Sequence, residues 1–160
     1  MDLRGTGDSE GLMEDEYSAQ ELADAVAVIE WAASQPWCNG AVGMMGISWG
    51  GFNSLQVAAL APDALKAIIT LCSTVDRFAD DIHYKGGCLL NENLGWGATM
   101  WSYSSRAPDP ALRENWREMW LERLEAEPFL PSVWLRHQRR DAYWQHGSVC
   151  EDFSAIKAKV

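Results

Sequence analysis

A chain of 160 residues that is 48% hydrophobic and 22% charged is about one domain long and apolar enough to fold around its own core, which excludes a disordered chain. Lys and Arg number 13 against 23 Asp and Glu, and the net charge of -10 repels phosphate backbones and anionic lipid surfaces, excluding a general nucleic-acid or membrane-surface binder. No apolar run approaches the ~20 residues of a membrane-spanning helix, and the N-terminus lacks a charged-then-apolar signal pattern, which favours a cytoplasmic location.

In chain order, Gly5-Thr6-Gly7-Asp8-Ser9-Glu10-Gly11 predicts a loop whose glycine spacing misses the dinucleotide fingerprint by one residue, and Asp8 and Glu10 would repel a pyrophosphate. Ser18-Ala19-Gln20-Glu21 matches a capping box and predicts a helix start. Leu22, Val26, Ile29 and Ala33 then share one helix face, expected to pack on a sheet, and Pro36 ends the helix. Asn39-Gly40 is a turn, Ala41 to Gly46 a predicted strand, Gly50 to Leu60 a second helix, and Leu65 to Leu71 a second strand. Two parallel strands around a helix make a right-handed βαβ unit.

From about Arg77 the pattern turns helical and rich in tryptophan, with no strand pattern until the last residues. Asp109-Pro110 predicts a helix start, and Leu112, Trp116, Met119, Trp120 and Leu124 repeat at helical spacing as a buried stripe. A shorter helix is expected around Val133 to Gln138, and Ile156 to Val160 begins a strand. The cysteines Cys38, Cys72, Cys88 and Cys150 form no C-x-x-C pair, so they are expected as scattered buried thiols; no cofactor and no metal ion is expected.

The chemistry centres on Gly46-Ile47-Ser48-Trp49-Gly50, a G-x-S-x-G between a predicted strand and a predicted helix. A sharp turn there lifts the serine oxygen above the sheet edge, with Gly46 and Gly50 allowing close backbone approach, and the Trp49 N–H becomes an oxyanion donor. The alternative is an ordinary glycine-rich turn with serine as helix cap. A serine nucleophile needs a histidine base and an orienting carboxylate. The histidines are His83, His137 and His146, all in the helical segment; Asp80 or Asp81 with His83, and Asp141 with His146, are local pairs, although each histidine is more readily read as structural.

Several stretches together resemble the X-Pro dipeptidyl peptidase and cocaine esterase family of serine hydrolases. They are Asp2-x-Arg4-Gly5-x-Gly7-x-Ser9-x-Gly11, Glu30-Trp31 with Gln35-Pro36-Trp37, Gly46 to Gly51, and Asp76-Arg77 with Asp80-Asp81. Asp141 to Trp144 and Gly147 to Cys150 resemble the cap-to-core return of its bacterial members. The resemblance implies an α/β fold, a partial α/β-hydrolase core with a parallel sheet and flanking helices interrupted by a helical cap. Residues 1–77 would be core with the nucleophile turn, 78–150 cap, and 151–160 the start of a return strand. It implies Ser48 as nucleophile and Trp49 as oxyanion donor, acting on a small ester or peptide substrate by acyl transfer. X-Pro dipeptidyl peptidase, aromatic or antibiotic ester hydrolase, and acylase stay open. By the same comparison a tyrosine donor falls before Met1, and acid and base fall beyond Val160. A fragment inactive alone is therefore expected, with a non-catalytic interaction module as the alternative. Some cap tryptophans, Trp116 and Trp120 foremost, are expected to face the serine.

Overall fold

Ser18 opens the first helix as its spacing predicts: in the computed structural model, which describes residues 2–160, its Oγ accepts the Glu21 N–H at 3.1 Å. Helix α1 (Ala19–Ser34) ends where Gln35, held out of the helical region by the proline after it, turns extended at φ -75, ψ 147. Strand β1 (Val42–Ile47), helix α2 (Trp49–Ala59) and strand β2 (Leu65–Leu71) follow, and β1 and β2 pair in parallel with Met44 opposite Ile68 and Ile47 opposite Leu71. This is the expected βαβ unit. Every residue of α2 from Gly51 to Ala58 is buried, so this helix is the centre of the first core, where Leu55, Val57 and Ala58 meet Leu22 and Ile29 of α1 and Leu65 and Ile68 of β2.

The other face of the two strands is bare. Met45, Ile47, Ile69 and Leu71 are all exposed, Met45 at 71%. Asp2 to Arg4 form no strand, and Met1 lies outside the described residues. The expected return strand is reduced to one bridge, in which the Ile68 N–H donates to Lys159 O at 2.7 Å and the Lys159 N–H to Lys66 O at 3.0 Å. Before it the chain makes two short 3-10 turns, Val149–Glu151 and Phe153–Ala155.

The second half departs from its sequence reading at several points. A two-residue hairpin, β3 (Tyr84–Lys85) with β4 (Cys88–Leu89), turns through Gly86 and Gly87, both at positive φ, where no strand was expected. Helices α3 (Asn93–Ser104), α4 (Trp116–Ala126), α5 (Leu130–Trp134) and α6 (Ala142–Gln145) follow. α5 thus comes earlier than the expected Val133 to Gln138. Asp109 caps only a turn, through the Ala111 N–H, and α4 starts at Trp116. Its apolar stripe is not buried: Leu112 is 68% exposed, Leu124 is exposed, and the buried residue of α4 is Arg123. That guanidinium donates to the carbonyls of Gly7, Ser9 and Arg106 at 2.7–3.1 Å, so backbone acceptors of the N-terminal loop and of the segment after α3 anchor the helix through its buried residue. A second core joins Tyr84, Met100, Leu130, Trp134 and Trp144. The thiols are not buried either, since Cys72 and Cys88 are exposed and Cys38 and Cys150 half-buried.

Candidate active site

Ser48 sits between the last residue of β1 and the first of α2 at φ 53, ψ -119, outside the regions a non-glycine residue prefers. Its N–H is fixed by Leu71 O at 2.8 Å and its own carbonyl accepts from the Phe52 N–H at 2.9 Å. The side chain makes no capping hydrogen bond, and the residue is exposed. The serine-cap alternative is therefore not what the turn does. A Cβ on Gly46 would lie 2.2 Å from the Gly50 backbone, and one on Gly51 would lie 2.7 Å from Leu71 O. A Cβ on Gly50 would meet nothing within 4 Å. The close approach expected at Gly50 is thus met at Gly51, because the helix turns Gly50 outward and Gly51 toward the end of β2.

The serine opens into a cavity of about 180 Å³ lined by Tyr17, Phe52, Cys72, Thr74, Asp80, Asp81, Ile82 and Trp96. The first N–H groups of α2, that of Trp49 foremost, are the donors that a helix start leaves without intrahelical partners, and they lie at its positive end. The Trp49 indole is tied down separately, by its Nε1–H donating to Glu21 Oε1 at 2.9 Å. The same oxygen accepts from Asn53 Nδ2 at 2.7 Å, and Oε2 accepts from the Tyr17 N–H at 2.8 Å. Glu21 thus closes back on the Tyr17 N–H, one residue before the Ser18 N–H of the expected capping box, and joins the start of α1 to the first turns of α2. Burial raises its carboxyl despite these donors.

Beneath the cavity lies a buried charge cluster. Arg77 Nη2 and His83 Nε2 both reach Glu16 Oε1 at 2.6 Å, Trp96 Nε1–H donates to Glu16 Oε2 at 2.8 Å, and His83 Nδ1 pairs with Asn93 Oδ1 at 2.8 Å. Asp81 Oδ2 lies 3.6 Å from Arg77 Nε. Burial would raise the Glu16 carboxyl, but His83 and then Arg77 outweigh it and hold it down at about 2. Burial and the Glu16 charge push Asp81 up to about 6. Burial opposes charging of His83, yet the facing Glu16 raises it. Glu16, Asp81 and His83 bring ligand-type atoms within 4.8 Å of one another, but the Arg77 guanidinium already supplies the cation among them.

None of the three histidines lines the Ser48 cavity among the described residues. His83 has both ring nitrogens engaged at Glu16 and Asn93, His137 pairs with Asp141 at 2.7 Å, and His146 Nε2 faces Tyr17 O at 2.7 Å. The expected pairing of Asp141 with His146 is replaced by Asp141 with His137, four positions earlier in the loop between α5 and α6. Of the expected residues, Asp80 and Asp81 do reach the cavity, and the tryptophan there is Trp96, not Trp116 or Trp120. Those two rings stack on each other, and the Trp120 indole N–H donates to Ser105 O. The Glu16 hub escaped the sequence reading, since its partners lie 61, 67 and 80 positions away with no local pattern to flag them.

Comparison with known proteins gives a consistent set. The sequence model of the X-Pro dipeptidyl-peptidase (S15) family matches residues 1–160. Cocaine esterase of Rhodococcus sp. is 37% identical over 99 residues, 61% of this chain and 17% of the esterase. A CocE/NonD family hydrolase of Staphylococcus aureus superposes with a TM-score of 0.74 at 27% identity, over 98% of this chain and 24% of that one. An α-amino acid ester hydrolase, at 22% identity and a TM-score of 0.61, shares the fold over 92% of this chain and 28% of its own. The chain thus spans between 17% and 28% of the length of these relatives.

Proposed function

Because the chain belongs to the X-Pro dipeptidyl-peptidase (S15) family of hydrolases, we propose that Ser48 is its nucleophile and the Trp49 N–H one of its oxyanion donors, for acyl transfer from a small ester or short peptide. The observation that carries this reading is the Ser48 turn itself: positive φ, no capping bond, and a side chain opening into a cavity at the start of a helix. The Ser48 oxygen attacks the substrate carbonyl and hands its proton to a base. The carbonyl oxygen becomes an oxyanion facing the Trp49 N–H, the leaving group departs with a proton, and water then releases the acyl group. Residues 78–150 act as the cap, contributing Asp80, Asp81, Ile82 and Trp96 to the pocket wall. With His83, His137 and His146 engaged elsewhere, base and orienting acid come from polypeptide outside residues 1–160, and the chain alone is inactive.

A chimera tests this. The matched quarter of the Staphylococcus aureus hydrolase is replaced by this chain, and p-nitrophenyl ester turnover is followed. The chimera is expected to turn over, and Ser48→Ala to lower kcat by about 10⁴-fold or more. The 160-residue chain alone is expected not to exceed its own Ser48→Ala control. A folded chimera that is equally active with Ser48→Ala removes Ser48 from the chemistry, and Ser48-dependent turnover by the chain alone would return the base to one of its own histidines.

A further inference from the structure

The Ser48 turn is held by backbone on one side and by a side chain of α1 on the other. The backbone hold is the Ser48 N–H on Leu71 O and the Phe52 N–H on Ser48 O. The side-chain hold is Glu21, buried in the first turn of α1. Its Oε1 accepts from the Trp49 indole N–H and from Asn53 Nδ2, one turn further along α2, and its Oε2 accepts from the Tyr17 N–H. All three donors belong to the Ser48 turn or to the wall beside it. Trp49 follows the serine, Asn53 follows Phe52, and Phe52 and Tyr17 both line the cavity. The Tyr17 ring meets Trp49 edge to face at 6.2 Å and Phe52 at 5.4 Å, and Tyr17 holds a positive φ of 56, so a strained residue of the wall has its N–H tied to the same carboxylate. Glu21 itself does not line that cavity; with Trp49 it borders a separate one of about 430 Å³.

We propose that Glu21 is a positioning residue for acyl transfer: it ties the Trp49 side chain, the first turns of α2 and Tyr17 to one carboxylate, so that the Trp49 N–H and the cavity wall keep a fixed geometry as charge develops on the substrate oxygen. The role rests on Ser48 as nucleophile and the Trp49 N–H as oxyanion donor. Such a donor acts within about 2.7–3.1 Å of the oxygen, and a misplacement of about 1 Å costs on the order of 100-fold in rate. The first turn of a helix lacks the full set of intrahelical bonds, so backbone alone holds Trp49 weakly. A second anchor at the indole nitrogen, on a carboxylate that is itself braced by Asn53 and Tyr17, resists that displacement. Glutamine separates the two arms of the tie. Glu21→Gln keeps an oxygen for Trp49 and Asn53 but turns an amide NH₂ toward the Tyr17 N–H, which then has no acceptor.

Two measurements test this. In the 160-residue chain, hydrogen exchange is followed by NMR at the Trp49 indole and at the Phe52 and Tyr17 amides, with the Trp96 indole, held by Glu16, as internal reference. Relative to that reference, Glu21→Ala is expected to speed all three about tenfold, and Glu21→Gln to speed Tyr17 alone. In the chimera with the Staphylococcus aureus hydrolase, Glu21→Ala and Trp49→Phe, which removes the indole N–H and keeps the backbone one, are each expected to lower kcat about 30-fold with KM within about threefold, and the double variant to fall no further. Glu21→Gln is expected to recover kcat to within about threefold of the parent. Arg123→Met, which loosens α4 and does not touch the Ser48 cavity, is expected to leave kcat unchanged. Unchanged exchange at the Trp49 indole in Glu21→Ala overturns the proposal, and so does a loss of kcat in Arg123→Met equal to that in Glu21→Ala, or losses that multiply in the double variant. Turnover that needs Ser48 but ignores Glu21→Ala overturns the positioning role alone; turnover that ignores Ser48→Ala overturns the nucleophile assignment and the role with it.

Discussion

Ser48 holds a backbone conformation that costs a non-glycine residue about 1–3 kcal/mol, and the closeness of the chain around it keeps it there. Gly46→Ala and Gly51→Ala each force a Cβ into backbone, and each should destabilise by about 1–3 kcal/mol in urea unfolding. Gly50→Ala, with open space, should stay within about 0.5 kcal/mol. The turn was legible in the sequence because its glycine spacing is local, whereas which second glycine is confined depends on where the helix points after one residue. The Glu16 cluster gives a pH prediction. His83 is raised in the folded state, so its stabilisation is complete below about 6.5 and is lost as pH climbs through the folded value. Asp81, raised to about 6, also favours the fold less as pH climbs from about 4 to 6. Glu16 acts oppositely, its contribution falling away only as pH drops toward about 2. Tm should therefore decline as pH climbs from about 4 through 6 and onward above about 6.5; Asp81→Asn should flatten the lower part of the decline and His83→Gln the upper part, as calorimetry at stepped pH would show.

At the scale of elements, α1, α2 and the two strands were readable because caps, proline and apolar runs of strand length are written within a few residues. α4 was not. Its periodicity defined an apolar face correctly, but the contact that docks it is polar: Arg123 on carbonyls more than a hundred positions earlier. Arg123→Met, which keeps the length and removes the donors, should destabilise by about 2–3 kcal/mol and raise exchange at the 5–11 loop. Beside the apolar core that α1 and α2 share, one carboxylate, Glu21, makes the polar tie between them. Glu21→Ala leaves the Trp49 indole, the Asn53 amide and the Tyr17 N–H without their acceptor, and about 2–3 kcal/mol should be lost; Glu21→Gln, which keeps an acceptor oxygen, should recover part of it. Chemical unfolding of the pair separates the two outcomes.

For the whole molecule, the α/β class and the βαβ unit followed from the order of elements. The sequence could not show that one sheet face would carry four large apolar side chains into solvent, because a buried and a bare strand have the same composition. Met45, Ile47, Ile69 and Leu71 make a patch of the kind that marks contact with more protein. Met45→Lys with Ile69→Lys should leave Tm nearly unchanged, the side chains being outside already, while cutting binding of anilinonaphthalene sulfonate several-fold. A large loss of Tm would mean that the face is covered in solution.

The Arg123 clamp also sets an order of events during synthesis. Its acceptor at Gly7 is made 116 residues before the guanidinium that takes it, an interval of roughly 6–23 s at ribosomal rates of about 5–20 residues per second. Throughout that time the N-terminal loop is on the growing chain without its anchor, and the buried carboxylate of Glu16 waits in the same way for Arg77 and His83. The first βαβ unit is complete in the growing chain at Leu71, with Arg77 close behind it but Arg123 still 52 residues away, so the nascent protein carries an assembled Ser48 turn beneath an unfinished roof.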